Sequence, residues 1–360
     1  MKRNRIAVVL VILLGSATFW YISHNNKGTI NKEMKDFAVQ DTASITKIFL
    51  VDKNSRSVTL ERNPGNSNWT VDGKYGARFD AIQTLLETIR RVDVKEPVGK
   101  KALSNVIKGI ATKAIKCEIY QNGKLSKAYY VGTETADYTG TYMVMIDPET
   151  MEAMEKPFIT YIPGFEGYLT TRYFTEEKGW RDRTMFVYNP NDIKKVKMEV
   201  PTHPEFGYEL TVNGNNDYTI KMLGDGKTVS DVDPIAVKQY LSYFQSLSFE
   251  SFEVELTQKQ IDSVEKSTPI NILSVTDKDG KENRVTFFAR KPKHDNMVND
   301  KGEPVKFDEE RMNALLDNKV DFVLTQFYMF GKVMPTVDYF QKGNAGKPKV
   351  ANMPLNKPNT

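Results

Sequence analysis

Cysteine is almost missing from this chain: among 360 residues there is one, Cys117. No intramolecular disulfide is available, and stability must come from packed cores alone. Histidine is nearly as scarce, with only His24, His203 and His294. His203 lies in Pro201-Thr202-His203-Pro204, a loop by its prolines, and neither it nor His294 has another His or a Cys at metal-ligand spacing. A zinc site, which needs closely placed Cys and His ligands, is therefore not expected. The nucleophile pattern Gly-x-Ser-x-Gly and the Gly-rich phosphate loops are both absent. An excess of charge of one sign is missing too, since 50 basic residues face 46 acidic ones for a net +4. The basic residues are interspersed with acids, which argues against nucleic acid as a partner.

What is present is a duplication. From Ile45 the order is Ile-Thr-Lys-Ile, then Val58-Thr59-Leu60, Trp69-Thr70-Val71, and an apolar stripe at Ile82, Leu85, Leu86 and Ile89. From Ile193 it returns as Ile-Lys-Lys-Val, Tyr208-Glu209-Leu210, Tyr218-Thr219-Ile220, and a stripe at Val237, Tyr240, Leu241 and Phe244. Both stripes have the i, i+3, i+4, i+7 spacing of an amphipathic helix. A repeat this long is a domain, because solenoid units run to roughly 20 to 50 residues.

Each copy continues alike. A strand-like stretch at 92–98 or 249–254 leads to a shorter helix, the second with capping-box spacing at Thr257 and Gln260. Hairpins follow around Asn122-Gly123 and Asp279-Gly280. Next comes a brief predicted helix, carrying Met151 and Met154 in one copy and Met312, Leu315 and Leu316 in the other. Apolar segments at 158–165 and 322–330 close the copies. Asp80 and Asp233-Pro234 are placed to start the two long helices. Cys117 alternates with Ile115 and Ile119 and reads as a small buried hydrophobe.

The chain also opens on an apolar run. Lys2, Arg3 and Arg5 precede residues 6–14, and the run continues to Trp20 and Tyr21. Basic residues followed by apolar ones and a terminal aromatic pair predict an uncleaved membrane anchor, with a cleaved signal peptide ending near Gly15-Ser16-Ala17 as the alternative. The predicted fold class is thus α+β: two tandem, internally duplicated β-rich modules with helices packed on antiparallel sheets, after one N-terminal transmembrane helix. The boundaries are an anchor at 1–23, a tether at 24–35, a first module at 36–175, a junction at 176–192, a second module at 193–332 and a disordered tail at 333–360. The address this implies is a bacterial inner membrane, single-pass, with the N-terminus cytoplasmic and the bulk periplasmic.

The tandem pattern, with Ile-Thr-Lys-Ile at 45–48, Trp69-Thr70-Val71, Trp180-Arg181-Asp182-Arg183 and Asn189-Pro190-Asn191-Asp192-Ile193, resembles the DUF4340 family of bacterial envelope proteins. The resemblance spans about residues 36–330. It implies a membrane-anchored, extracytoplasmic protein, often encoded beside ABC-type transporters of the kind linked to gliding motility. No catalytic or ligand residues come with it.

Chemical candidates are few. Asp277-Lys278-Asp279-Gly280 and Asn299-Asp300-Lys301-Gly302 lack the ligand spacing of a calcium loop and read as turns. The most concentrated polar-aromatic feature is Trp180-Arg181-Asp182-Arg183. Arg can bind carboxylates bidentately and Trp anchors interfaces, so this segment is either an interaction site or an inter-module clasp. No catalytic residue, metal or cofactor is expected. The functional expectation is a non-catalytic accessory or scaffold protein with an envelope protein partner, ABC transporter subunits included. An envelope glycan or small-ligand binder using the inter-module cleft is the alternative, and a carboxylate-dependent hydrolase is the weaker one.

Overall fold

The computed structural model describes residues 15–16, 32–63, 66–292, 294, 298, 302–317 and 321–343. These form two compact units that divide between Asp182 and Arg183. The division falls inside the predicted junction.

The first unit is built on one antiparallel sheet of nine strands: β1 (Ile45–Val51), β2 (Ser57–Glu61), β3 (Thr70–Val71), β4 (Tyr75–Gly76), β5 (Asp93–Pro97), β6 (Ile115–Gln121), β7 (Lys124–Glu134), β8 (Thr141–Ile146) and β9 (Phe158–Tyr161). Across the sheet they run β4-β3-β2-β1-β6-β7-β8-β9-β5. The second unit has a two-stranded sheet of β10 (Thr184–Phe186) and β14 (Leu247–Ser248). Its main sheet has eight strands: β11 (Ile193–Glu199), β12 (Tyr208–Gly214), β13 (Asp217–Met222), β15 (Ser251–Phe252), β16 (Asn271–Asp277), β17 (Glu282–Ala289), β18 (Arg311–Leu315) and β19 (Phe322–Gln326). Their order, β13-β12-β11-β16-β17-β18-β19-β15, repeats that of the first unit.

The repeat reaches single residues. Ile48 pairs with Ile119 across β1 and β6, as Val196 pairs with Val275 across β11 and β16. Both ladders shift register at the same place, between Ile45 and Lys47 and between Ile193 and Lys195. An extra residue there, Thr46 or Lys194, bends the strand and keeps the following side chains alternating correctly about the sheet.

Alternation then builds the cores. Ile48, Leu50, Val58, Leu60, Cys117, Ile119, Tyr129, Val131, Met143 and Phe158 are buried on one face of the first sheet. The helix Phe79–Arg91 adds Ala81, Ile82, Leu85, Leu86 and Ile89 to that cluster. In the second unit Val196, Met198, Leu210, Leu273, Val275, Val285 and Phe287 share a core with Val237, Tyr240, Leu241 and Phe244. Asn122 and Gly123 take the positive φ values (50° and 79°) that a two-residue hairpin turn requires.

Several expectations are corrected. The chain is β-rich, with two large antiparallel sheets and few helices, so the predicted α+β class with a helical layer on each sheet does not hold. The brief Met- or Leu-bearing helices are absent: Met312 and Leu315 belong to strand β18, while Met151, with φ 59°, lies in a turn. In the first copy the chain turns back on β8 instead, through the Ile146–Ala153 bridge and the Met154 N–H to Met145 carbonyl bond at 2.8 Å, and in the second Arg311–Leu315 is buried on both faces. A strand buried on both faces carries no polar–apolar alternation that separates it from a helix.

Asp80 does not cap its helix. It lies in the first turn and pairs with Arg78 at 2.8 Å. Asp233 does cap, accepting the Ile235 N–H at 2.9 Å. The predicted tail at 333–360 is also corrected, because Val333, Met334, Tyr339 and Phe340 are buried in the second core.

The membrane placement loses its support as well. Among the described residues no helix is long and apolar enough to cross a membrane. The longest, Lys100–Lys113, has 14 residues, about 21 Å at ~1.5 Å per residue, against a hydrocarbon core of ~30 Å. The predicted anchor, with Lys2, Arg3, Arg5, Trp20 and Tyr21, lies outside the described residues apart from Gly15 and Ser16. The single-pass inner-membrane, periplasmic assignment is not retained.

Candidate functional site

The segment Trp180-Arg181-Asp182-Arg183 is divided by the unit boundary. Trp180 belongs to the first unit's core, fully buried. It stacks on Phe174 at 4.1 Å and 13° and donates its indole N–H to the Phe174 carbonyl at 2.9 Å. A buried indole needs that partner for its N–H, and Phe174 provides both the partner and the stack. Arg181 pairs with Ala77 as an antiparallel bridge. Its guanidinium lies 3.6 Å over the Tyr75 ring and 3.5 Å from Glu177. Arg78 donates to the Trp180 carbonyl at 2.7 Å, and Asp182 donates its N–H to Gly76 at 2.8 Å.

These three residues thus continue the sheet beyond β4. Arg183 does equivalent work in the second unit, donating to the Glu250 carbonyl at 2.7 Å while its own carbonyl accepts from Phe249 at 3.0 Å. Arg181 is only 7% exposed, so its capacity for an anionic ligand is taken up internally.

Cys117 is fully buried, and burial pushes its thiol up to about 12. It is an inert packing residue at neutral pH. Tyr129 and Tyr173 lie near it, their hydroxyls 3.2 Å apart, and burial raises both phenols well above the ordinary value. His203 is exposed, its Nδ1 3.2 Å from Glu205. Among the described residues no group of three or more His, Cys, Asp or Glu could hold a metal ion.

Two carboxylates do converge, Glu253 and Glu255, but on Arg290. Arg290 bonds to Glu253, reaches Glu255 at 2.8 Å, and donates to Asn313 at 2.9 Å. Glu253 also accepts the Glu255 N–H at 2.8 Å. A guanidinium shared by two carboxylates offsets one of their two charges and ties up both side chains, which is the arrangement of a structural network and not of an acid and a nucleophile flanking a substrate.

The surface of the first unit carries what sequence reasoning missed. A groove of about 440 Å³ lies over β1, β2 and β3 beside the Asn122-Gly123 turn. Lys47, Glu61, Asn63, Asn66, Asn68 and Tyr120 line it. The alternation of β1 and β2 turns Lys47 and Glu61 away from the core, directly opposite each other in register. Lys47 instead places its ammonium 3.9 Å over the Tyr120 ring. The signal available in the sequence was three Asn within six residues, at 63, 66 and 68.

No family model, curated protein or solved structure matches this chain.

Proposed function

We propose that this chain acts without catalysis, as an accessory or scaffold protein that holds a protein partner. Tyr328 carries the reading. It is 89% exposed on the short helix Phe327–Phe330, whose two ends, Phe327 and Phe330, are buried in the second core. A large aromatic side chain held out by a rigidly seated backbone loses little entropy on binding, the property of an interface anchor.

The sheet ends direct contact to such side chains. Beyond β4 the Ala77–Arg181 bridge takes up the edge, and beyond β13 a Lys221–Thr228 bridge does so. At the opposite ends, β5 has Lys95, Glu96, Pro97 and an irregular register, while β15 is two residues long. Edges of that kind are poor templates for an added strand.

The resemblance to the DUF4340 family makes a subunit of an ABC-type transporter the first partner to test. The experiment places a photo-crosslinking phenylalanine analogue at 328 in the source cell and identifies adducts by mass spectrometry. One dominant protein adduct is expected, with Tyr328→Ala losing the complex at an unchanged melting temperature. Absence of any adduct, together with complex formation unaffected by Tyr328→Ala, would refute the proposal.

A further inference from the structure

We infer that the groove over β1, β2 and β3 binds a neutral oligosaccharide. Its volume, about 440 Å³, lies within the range of ~300 to 1,000 Å³ found for small-ligand sites. Its lining residues are almost all polar or charged, while the surface they expose to the groove is polar and apolar in nearly equal parts, which suits a ligand that carries both hydrogen-bonding groups and C–H faces.

The state of the lining residues narrows the class. Among the described residues no donor reaches the Glu61 carboxylate, because its cross-strand neighbour Lys47 lies over Tyr120. The side-chain amides of Asn63 and Asn68 also have no partner among the described residues. Asn66 accepts the Asn68 N–H at 2.8 Å, which fixes the turn that presents them. Gly123 donates to Thr46 Oγ1 at 3.1 Å and Thr70 Oγ1 donates to the Glu61 carbonyl at 3.2 Å, which hold the opposite walls. Carboxamides offer donors and acceptors side by side, and a carboxylate accepts twice. A sugar hydroxyl, which both donates and accepts, matches that set group for group.

Charge selects for neutrality. Lys47 and Glu61 contribute one charge of each sign. Arg62, the remaining cation in the lining, is not offered to a ligand. It donates to the carbonyls of Ile45, Thr42 and Ala43 at 2.8, 2.7 and 2.9 Å and stacks over Trp69 at 4.8 Å. An anionic ligand would meet Glu61 with no free guanidinium to balance it.

The test titrates the full chain with maltotriose, cellotriose and N,N′,N″-triacetylchitotriose in turn, by isothermal titration calorimetry. Saturable binding of at least one is expected. Asn63→Ala with Asn68→Ala should weaken it by about tenfold or more, the scale of losing a pair of neutral hydrogen bonds. Both asparagines are exposed, so the double variant should melt with the wild type. Glu61→Gln, which keeps the shape and removes the charge, should weaken binding less. Failure of all three sugars to saturate at millimolar concentration would overturn the inference. So would equal affinity of the double variant, or binding only when the sugar is sulfated.

Discussion

In the first unit the helix Lys100–Lys113 buries Val106 and Ile110 beside Ala114 and Val144, with Tyr130 and Tyr142 packed alongside. At the same place in the second unit's strand order, the helix Gln258–Glu265 has eight residues and buries none of them. The register shows why. Tyr130 pairs with Lys116 and Val144, and Thr286 in the second unit pairs with Ile272 and Leu315. Counting on from these, Gly132 corresponds to Phe288. A Cβ at Gly132 would meet Ile110 Cγ1 at 3.1 Å and the Tyr142 carbonyl at 2.8 Å, so the helix can lie close only because that position is glycine. Phe288 is 2% exposed, its ring 6.2 Å from that of Phe322. One copy covers this face with a helix and the other fills it with its own side chains. The difference teaches that the strand order is the invariant part of the repeat, while the cover is exchangeable.

Removing Phe288 should break the comparison most sharply. Phe288→Ala is expected to cost about 3 to 5 kcal/mol, the usual range for a buried Phe. Urea unfolding would show it as a lowered midpoint, and a loss under about 1 kcal/mol would mean that the ring is not the cover of this face.

Truncating the covering helix comes next. Ile110→Ala should cost about 2 to 4 kcal/mol, whereas Ile261→Ala on the second unit's helix should cost less than about 1 kcal/mol. Equal losses at the two sites would erase the proposed distinction between a packed and an unpacked helix.

A third difference is read in alkali. The Cys117 thiol has its folded value raised by burial to about 12, above an unfolded value of ~8.5. Its contribution is therefore present below ~8.5 and lost progressively as pH rises toward the folded value. At pH 10 the loss is about 2 kcal/mol, at ~1.4 kcal/mol per pH unit. The second unit has no cysteine. Its buried phenols Tyr208 and Tyr240, raised by burial, begin to lose stability only above the unfolded tyrosine value of ~10. Hydrogen exchange against pH should show the first unit loosening first, and Cys117→Ala should remove the early part of that slope. An unchanged slope would assign it to another group.

The smallest effect concerns how the short helix is held. Thr257 and Gln260 form a reciprocal capping box, and Thr257→Ala should cost about 1 kcal/mol. The helix Lys100–Lys113 starts at Gly99 with no side-chain cap, so Gly99→Ser should change its stability by only a few tenths of a kcal/mol. Circular dichroism during thermal unfolding separates the two.

Periodic signals made much of the repeat readable beforehand. The strands Ile45–Val51 and Ser57–Glu61 lie where Ile-Thr-Lys-Ile and Val58-Thr59-Leu60 open the first copy, both hairpins lie at the predicted turns, and Asp233 and Thr257 cap as their spacing implied. Strands buried on both faces were not readable, because Thr141–Ile146 gives no alternation to follow. The packing of Trp180 was not readable for a different reason. Its ring packs on Phe174 and its segment joins the β4 edge, contacts that no spacing announces. The groove was hidden because Lys47, Glu61, Asn68 and Tyr120 come together only through the strand pairing of β1 with β2 and β6.

The closed sheet ends have a consequence for the protein in bulk. A chain with this much strand presents a standing risk of stacking into fibres through its outermost ladders. Here one end of each main sheet is occupied by the chain's own backbone, at Arg181 and Thr228, and the other is charged and kinked or very short. The outermost ladders therefore offer a second copy little free backbone on which to add a strand.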